Sequence, residues 1–234
     1  MRFVRRSDTD IETLVAVSKL KQQKKYNIDA VKNSLRKIYH GCCAYCEGKV
    51  EPVAYFEIEH FYPKKKYPQW KLDFHNLHYA CPRCNRLKGE KIKKILSPNY
   101  YNNSGKWEMY PKEIDSCMSY VGHKLVVYRK ADKLLKRRGN ATIKLFQLNE
   151  RPSLVMARLR RYTEAYNLLE IIRGVLAEMN NINPKKMEGA MSKLFQQLIS
   201  YTEPDSAYST MIIQNFGTEI YKLLQIWEKY KTSN

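Results

Sequence analysis

Apolar residues recur at helical spacing at both ends of the chain, and give way to alternation and turn residues between them. Near the N-terminus, Ile11, Leu14, Val15, Val17 and Leu20 form one stripe, predicting a helix that Asp8 or Thr9 caps. A break at Tyr26-Asn27 separates it from a second helical pattern, Val31, Leu35, Ile38 and Tyr39, so residues 8–39 read as helical throughout. The segment AYFEIEHF, Ala54 to Phe61, is rich in β-formers and is stopped by Pro63, which predicts a short strand with His60 near its end. A short helix is expected over 85–94. Residues 97–118, with Pro98, Asn102 to Gly105 and Pro111, read as a loop whose tyrosines and Trp107 suit packing better than base stacking. Residues 120–128 look like a strand, and 141–148 fit either strand or helix.

From Pro152 onward the pattern stays helical. Leu154, Leu159, Tyr162, Tyr166, Leu169, Ile172, Leu176 and Met179 form one long stripe, ended by Asn180 to Pro184. Helices over 187–201 and 206–231 follow. The class is α+β, mostly α. No internal repeat or low-complexity tail interrupts it.

Chemistry concentrates in the irregular middle. Cys43/Cys46 and Cys81/Cys84 are two C-x2-C pairs with 34 residues between them. Each pair makes a knuckle with converging thiolates, and two knuckles form a tetrahedral S4 site suited to structural Zn2+. Disulfides are the competing reading, but they belong to short secreted chains, and the opening MRFVRRSDTD has no apolar signal core. Cys42 adjoins Cys43 and competes for its place; Cys43 keeps the two-residue gap. Cys117 stands alone and reads as structural.

Between and beside the knuckles lie Glu59-His60, then Asn76-Leu77, then Asn85 directly after Cys84, with Arg86 and Lys88 following. This order resembles the HNH, or ββα-metal, endonuclease family in its zinc-bound variety, over residues 42–94. The resemblance implies a strand and a helix pinned to one zinc, facing a common cleft. It implies His60 as general base, Asn76 as the group that orients its imidazole through a main-chain or amide oxygen, and Glu59 with Asn85 as ligands of a hard catalytic cation, Mg2+ or Mn2+. Lys64, Lys65, Lys66, Arg86 and Lys88 would contact phosphate. Many family members carry Asp where Glu59 stands and His where Asn85 stands. Glu57 shares a strand face with Glu59 and is a second acidic candidate. His75, His78, His40 and His123 read as support or surface residues.

Charge sharpens this picture. The chain of 234 residues has a net charge of +19. Residues 1–161 hold 35 basic and 15 acidic side chains, whereas 162–234 hold 7 and 8. Residues 64–94 alone carry ten basic and two acidic residues. A single-sign field placed around the candidate site attracts a polyanion better than it serves bare solubility. A second basic cluster, Arg129 to Arg138, suits phosphate contacts as well. No apolar run reaches membrane-spanning length, and a reducing cytoplasm is the expected compartment.

These signals divide the chain into a helical lead-in (1–41), a zinc-bound HNH core (42–96), a loop-and-strand basic segment (97–150) and a helical extension (151–234) that completes a core or docks a partner. The blocks EIEHFYPK and ACPRCNRLKG, within this plan, resemble the PtuB-type HNH subunits of Septu and retron anti-phage systems. That likeness implies a toxic effector working with an ABC/SMC-like ATPase subunit. No G-x4-G-K-[ST] loop occurs here, so ATP dependence would come from that partner. DNA is the first expected substrate, and RNA such as tRNA the second. The competing readings are a non-catalytic zinc module that binds nucleic acid, or an adaptor within a complex.

Overall fold

A computed structural model of the chain describes residues 10–52, 54–92, 95–98, 114, 117–178 and 184–233. The candidate caps Asp8 and Thr9, the loop aromatics of 99–113 with Trp107, and Met179 lie outside them. The chain forms two compact units, one made of Met1–Ser119 with Leu125–Arg151, the other of Tyr120–Lys124 with Pro152–Asn234. The fold is mostly helical with two small antiparallel sheets, as the sequence pattern indicates. No helix among the described residues is long and apolar enough to cross a membrane.

In the first unit, α1 (Ile11–Gln23) starts at Asp10, whose carboxylate accepts the Thr13 amide at 3.2 Å. It packs on α2 (Asp29–Ile38) through Thr13, Ala16 and Leu20, three residues on one face. Of the expected apolar stripe Leu20 is buried, whereas Ile11 is 77% exposed and Leu14 52%. On α2, Val31, Leu35 and the following Tyr39 are buried as their spacing requires.

The strands β1 (Glu57–His60) and β2 (Leu77–Ala80) pair antiparallel, from Glu57 opposite Ala80 to His60 opposite Leu77. The helix α3 (Pro82–Lys88) follows β2 at once. It begins three residues earlier and ends six earlier than expected, because Cys81 caps it, accepting the Cys84 amide on its sulfur, and Pro82 occupies the first turn.

Beyond it, the single strand expected over 120–128 is a hairpin, β3 (Met118–Val121) and β4 (Lys124–Val127). Gly122, at φ +57°, makes the turn that the alternation pattern conceals. The ambiguous segment at 141–148 is the end of a helix, α4 (Lys133–Leu145), capped by Asp132. Two contacts tie this helix to the cysteine region. The Thr142 hydroxyl accepts the Leu96 amide at 2.8 Å, and Phe146, fully buried, stacks on Tyr45 with ring centres 4.2 Å apart.

The second unit is a set of three helices, α5 (Pro152–Ala177), α6 (Pro184–Ser200) and α7 (Ser209–Ser233), each packing on the other two. Its core is Leu169, Ile172, Met191, Leu198, Met211 and Ile212, all fully buried. Of the expected stripe on α5, Leu154, Leu169 and Ile172 are buried, Ala165 and Leu168 are buried beside them, and Tyr166 is exposed. Arg158 joins them, its guanidinium over the rings of Tyr120 and Tyr208 at 5.1 and 5.9 Å. A cation among aromatics replaces the aliphatic residue that the helical period led one to expect.

Gly139 sits inside α4 where a Cβ would lie 2.7 Å from the Cys117 sulfur and 2.9 Å from a Val127 methyl carbon. Helix propensity favours alanine by about 1 kcal/mol, but overpacking costs about 1–3 kcal/mol. Gly139→Ala is therefore expected to lower the urea midpoint. Gly174→Ala in α5, with no atom within 4 Å of the added carbon, is expected to leave it unchanged or raise it.

Candidate active site and metal centre

Cys43 and Cys46 belong to a tight turn closed by the Cys42–Lys49 bridge, and the Ala44 amide donates to the Tyr79 carbonyl at 2.8 Å, fastening that turn to β2. Cys81 and Cys84 come from the first turn of α3. The four sulfurs lie within 4.8 Å of one another, and all six cysteines are free thiols. A zinc ion with Zn–S bonds of about 2.3 Å holds its sulfurs about 3.8 Å apart, so a small closure suffices. Hydrogen bonding among the thiols, from Cys43 first, holds Cys46 well below the usual thiol range, whereas burial pushes Cys43 well above it. The buried Arg151 places Nη1 3.5 Å from the Cys84 sulfur, a cation set against a cluster of thiolate character. The donor set thus suits a structural zinc. Cys42 is buried outside the cluster, and the Cys117 thiol donates to the Leu135 carbonyl at 3.0 Å.

The staple brings the end of β1 alongside α3. A cleft of about 190 Å³ is lined there by Ile58, Glu59, His60, Pro63, Lys64, Lys65, Asn85, Gly89 and Glu90. His60 Nε2 lies 3.1 Å from the Lys71 carbonyl oxygen. A carbonyl only accepts, so Nε2 carries the proton and Nδ1 keeps its lone pair. Burial, aided by the ammonium groups of Lys64 and Lys88, lowers the imidazole pKa to about 4, so the ring is neutral at pH 7.

Asn76 does not touch this ring. Its side chain clasps the following loop, accepting the Tyr62 amide at 2.7 Å and donating to the Tyr62 and Trp70 carbonyls at 3.0 Å. Because Trp70 precedes Lys71, the clasp fixes the carbonyl that holds His60. The orienting oxygen is a main-chain one, one step removed from the asparagine.

Burial corrects one expected position, Lys88 as a phosphate contact. Lys88 is fully buried, with Nζ 2.5 Å from Glu59 Oε1 and 2.8 Å from the His60 carbonyl oxygen, so it is closed to a phosphate. Glu59 lines the cleft but is nearly enclosed, its second oxygen accepting from the Tyr45 hydroxyl. Desolvation raises its pKa even though Lys88 opposes the shift. The carboxylate that meets Asn85 is Glu57, on the same face of β1 and exposed, with Oε2 2.5 Å from Asn85 Nδ2. Asn85, Glu59 and Glu90 put oxygen atoms on the cleft wall, while among the described residues only the four cysteines gather closely enough to hold an ion by themselves.

Of the expected phosphate contacts, Lys64, Lys65 and Arg86 are exposed, and Lys66 is exposed but paired with Glu90 at 3.1 Å. His78 is buried with Nδ1 2.6 Å from the Tyr39 hydroxyl. The residue that sequence reasoning missed is Tyr26. Its ring meets His60 edge-on, centres 4.6 Å apart, and its hydroxyl accepts from Lys64. In the sequence it marks only a helix break, with no signal that ties it to residues 34 positions away.

Comparison with known proteins agrees with this geometry. Residues 43–91 match the HNH endonuclease family. The chain is similar to the Septu protein PtuB of Bacillus thuringiensis, 28% identical over 189 residues that make up 78% of this chain and 66% of that protein. A second Septu protein PtuB, from Bacillus mycoides strain KBAB4, is 39% identical over 74 residues, 26% of this chain and 25% of its own length. The chain thus spans less than two thirds of each relative.

Metal analysis by native mass spectrometry is expected to find one zinc per chain in the wild type and in Cys42→Ser, and none retained by Cys43→Ser. Equal loss from both serine variants would contradict the assignment of Cys43 over Cys42 to the cluster. For the buried pair, Lys88→Met leaves Glu59 uncompensated and is expected to cost roughly 3–5 kcal/mol in chemical denaturation. Replacing both Glu59 and Lys88 by apolar residues should recover most of that loss.

Proposed function

Because residues 43–91 are an HNH endonuclease domain in a chain that resembles PtuB, we propose that this protein is a metal-dependent endonuclease hydrolysing nucleic-acid phosphodiester bonds, DNA first and tRNA or other RNA second. The observation that carries the reading is His60: a neutral imidazole with one nitrogen committed to a carbonyl and the other unprotonated, in a cleft that also presents oxygen atoms.

In this reading His60 Nδ1 takes the proton of a water that attacks the phosphorus in line. The Lys71 carbonyl keeps Nε2 protonated as the ring gains charge, and Asn76 keeps that carbonyl in place. A divalent cation bound through the Asn85 amide oxygen and the strand carboxylate Glu59, with Glu57 as a second acidic contributor, supplies positive charge to the phosphate and the departing oxygen. Glu59 keeps its ion pair with Lys88 meanwhile, since each carboxylate oxygen offers two lone pairs. Lys64, Lys65 and Arg86 hold the substrate backbone at the rim, and their contacts make binding salt-dependent.

We further propose that the enzyme is the toxic effector of an anti-phage defence complex, with an ATPase subunit of the ABC/SMC-like class as partner. The likeness to PtuB supports this, together with a second unit that carries only +3 of the net charge of +19 and whose helices expose Met156, Ile171, Tyr221 and Ile226. A non-catalytic nucleic-acid module is favoured by one observation, that both Glu59 oxygens are engaged by protein groups.

His60→Ala decides between these readings. It is expected to lower cleavage of a plasmid or tRNA at least a hundredfold with Mg2+ present, while zinc content and binding stay unchanged. Undiminished cleavage would leave the module as the surviving account.

A further inference from the structure

Beside the cleft lies a second cavity of about 520 Å³, lined among the described residues by Lys66, Tyr67, Glu90, Lys91, Ile92, Ile95, Ala141 and Leu145. Its volume is that of a small-ligand pocket, roughly 300–1,000 Å³. Its floor is apolar: Ile92 and Ile95 from the segment after α3, and Ala141 and Leu145 from one face of α4. One wall is the ring of Tyr67, which is stiffened by stacking on Trp70 at 5.2 Å and an interplanar angle of 10°. The exposed ammonium groups of Lys66 and Lys91 stand at its rim. Glu90 lines both this cavity and the cleft that holds His60, so the two are neighbours sharing a wall.

An apolar slot with one aromatic wall and a cationic rim, a step away from a phosphodiester cleft, matches the chemistry of a nucleotide: a flat base flanked by phosphates. We infer that this cavity receives one unpaired nucleobase of the substrate, next to the scissile phosphate. The inference rests on the nuclease reading for its substrate and adds the class to it: nucleic acid that is single-stranded or locally opened at the cut. A paired base inside a duplex has no exposed face to offer Tyr67 and must be unstacked first. Lys91 at the rim holds a flanking phosphate, and Lys66 keeps its ion pair with Glu90 at 3.1 Å. Glu90, already in the wall, can accept from an exocyclic amine or a ring N–H on the base edge.

The test is binding, read by fluorescence anisotropy with the full-length His60→Ala chain so that each oligonucleotide stays intact. A single strand is compared with strands of equal charge in which one nucleotide at a time is replaced by an abasic unit. An abasic unit at one position is expected to weaken binding about tenfold, in the range of base–aromatic stacking, while other positions tolerate it. Ala141→Trp, which fills the slot, and Tyr67→Leu, which removes its aromatic wall, should each erase that difference and keep the salt dependence. Equal affinity for intact and abasic strands, or a difference that survives both substitutions, would overturn the inference. Cleavage is read separately with His60 present: a chain that binds bases in this way yet cuts nothing refutes the nuclease reading and leaves the pocket standing.

Discussion

Four sulfurs from two places in the chain are the constraint on which the rest of this structure depends. One pair closes a turn that hangs from β2; the other pair is the first turn of α3, with Cys81 serving as its cap. Seven residues make a marginal helix and two four-residue strands make a marginal sheet when each stands alone. Joined at one point they fix the distance between the end of β1 and the exposed side of α3, which is where His60 and Asn85 stand. A core is then borrowed from outside the motif, from α2 through Leu35 and Tyr39 and from the end of α4 through Phe146.

Beneath the cleft a second constraint operates. The Glu59–Lys88 pair is fully withdrawn from water and is completed by Tyr45 and by the carbonyl of His60. It couples strand to helix at the floor, while Glu57 and Asn85 couple them at the surface. The two carboxylates share a face of β1 by the period of two, yet their surroundings differ: one is desolvated and ion-paired, the other is wet.

Much of this was legible in the sequence, and the reasons it stopped are physical. The C-x2-C spacings fix sulfur positions nearly by themselves, so the metal cluster follows from residue order. The run of β-formers and its stop at Pro63 located β1 and the placement of His60 at its end. Side-chain direction did not follow: nothing in CNRLK states that Lys88 turns inward to meet Glu59, since a lysine in a basic run reads as a surface charge. The hairpin at Gly122 was hidden because two short strands and their turn have the composition of one strand. The buried face of α1 is legible only at Leu20, because Thr13 and Ala16, buried beside it, carry little hydrophobic signal. Tyr26 reaches His60 only through the tertiary fold, which no local pattern encodes.

The account's central claim is that one stapled scaffold poises a neutral imidazole opposite a hard-cation site. Anomalous diffraction from a crystal grown with zinc and soaked in Mn2+ tests it most directly. The account predicts a zinc peak equidistant from Cys43, Cys46, Cys81 and Cys84, and a manganese peak within bonding distance of the Asn85 amide oxygen and a β1 carboxylate, in the cleft of His60. Manganese bound elsewhere, or a cleft that stays empty beside an occupied zinc site, would contradict it.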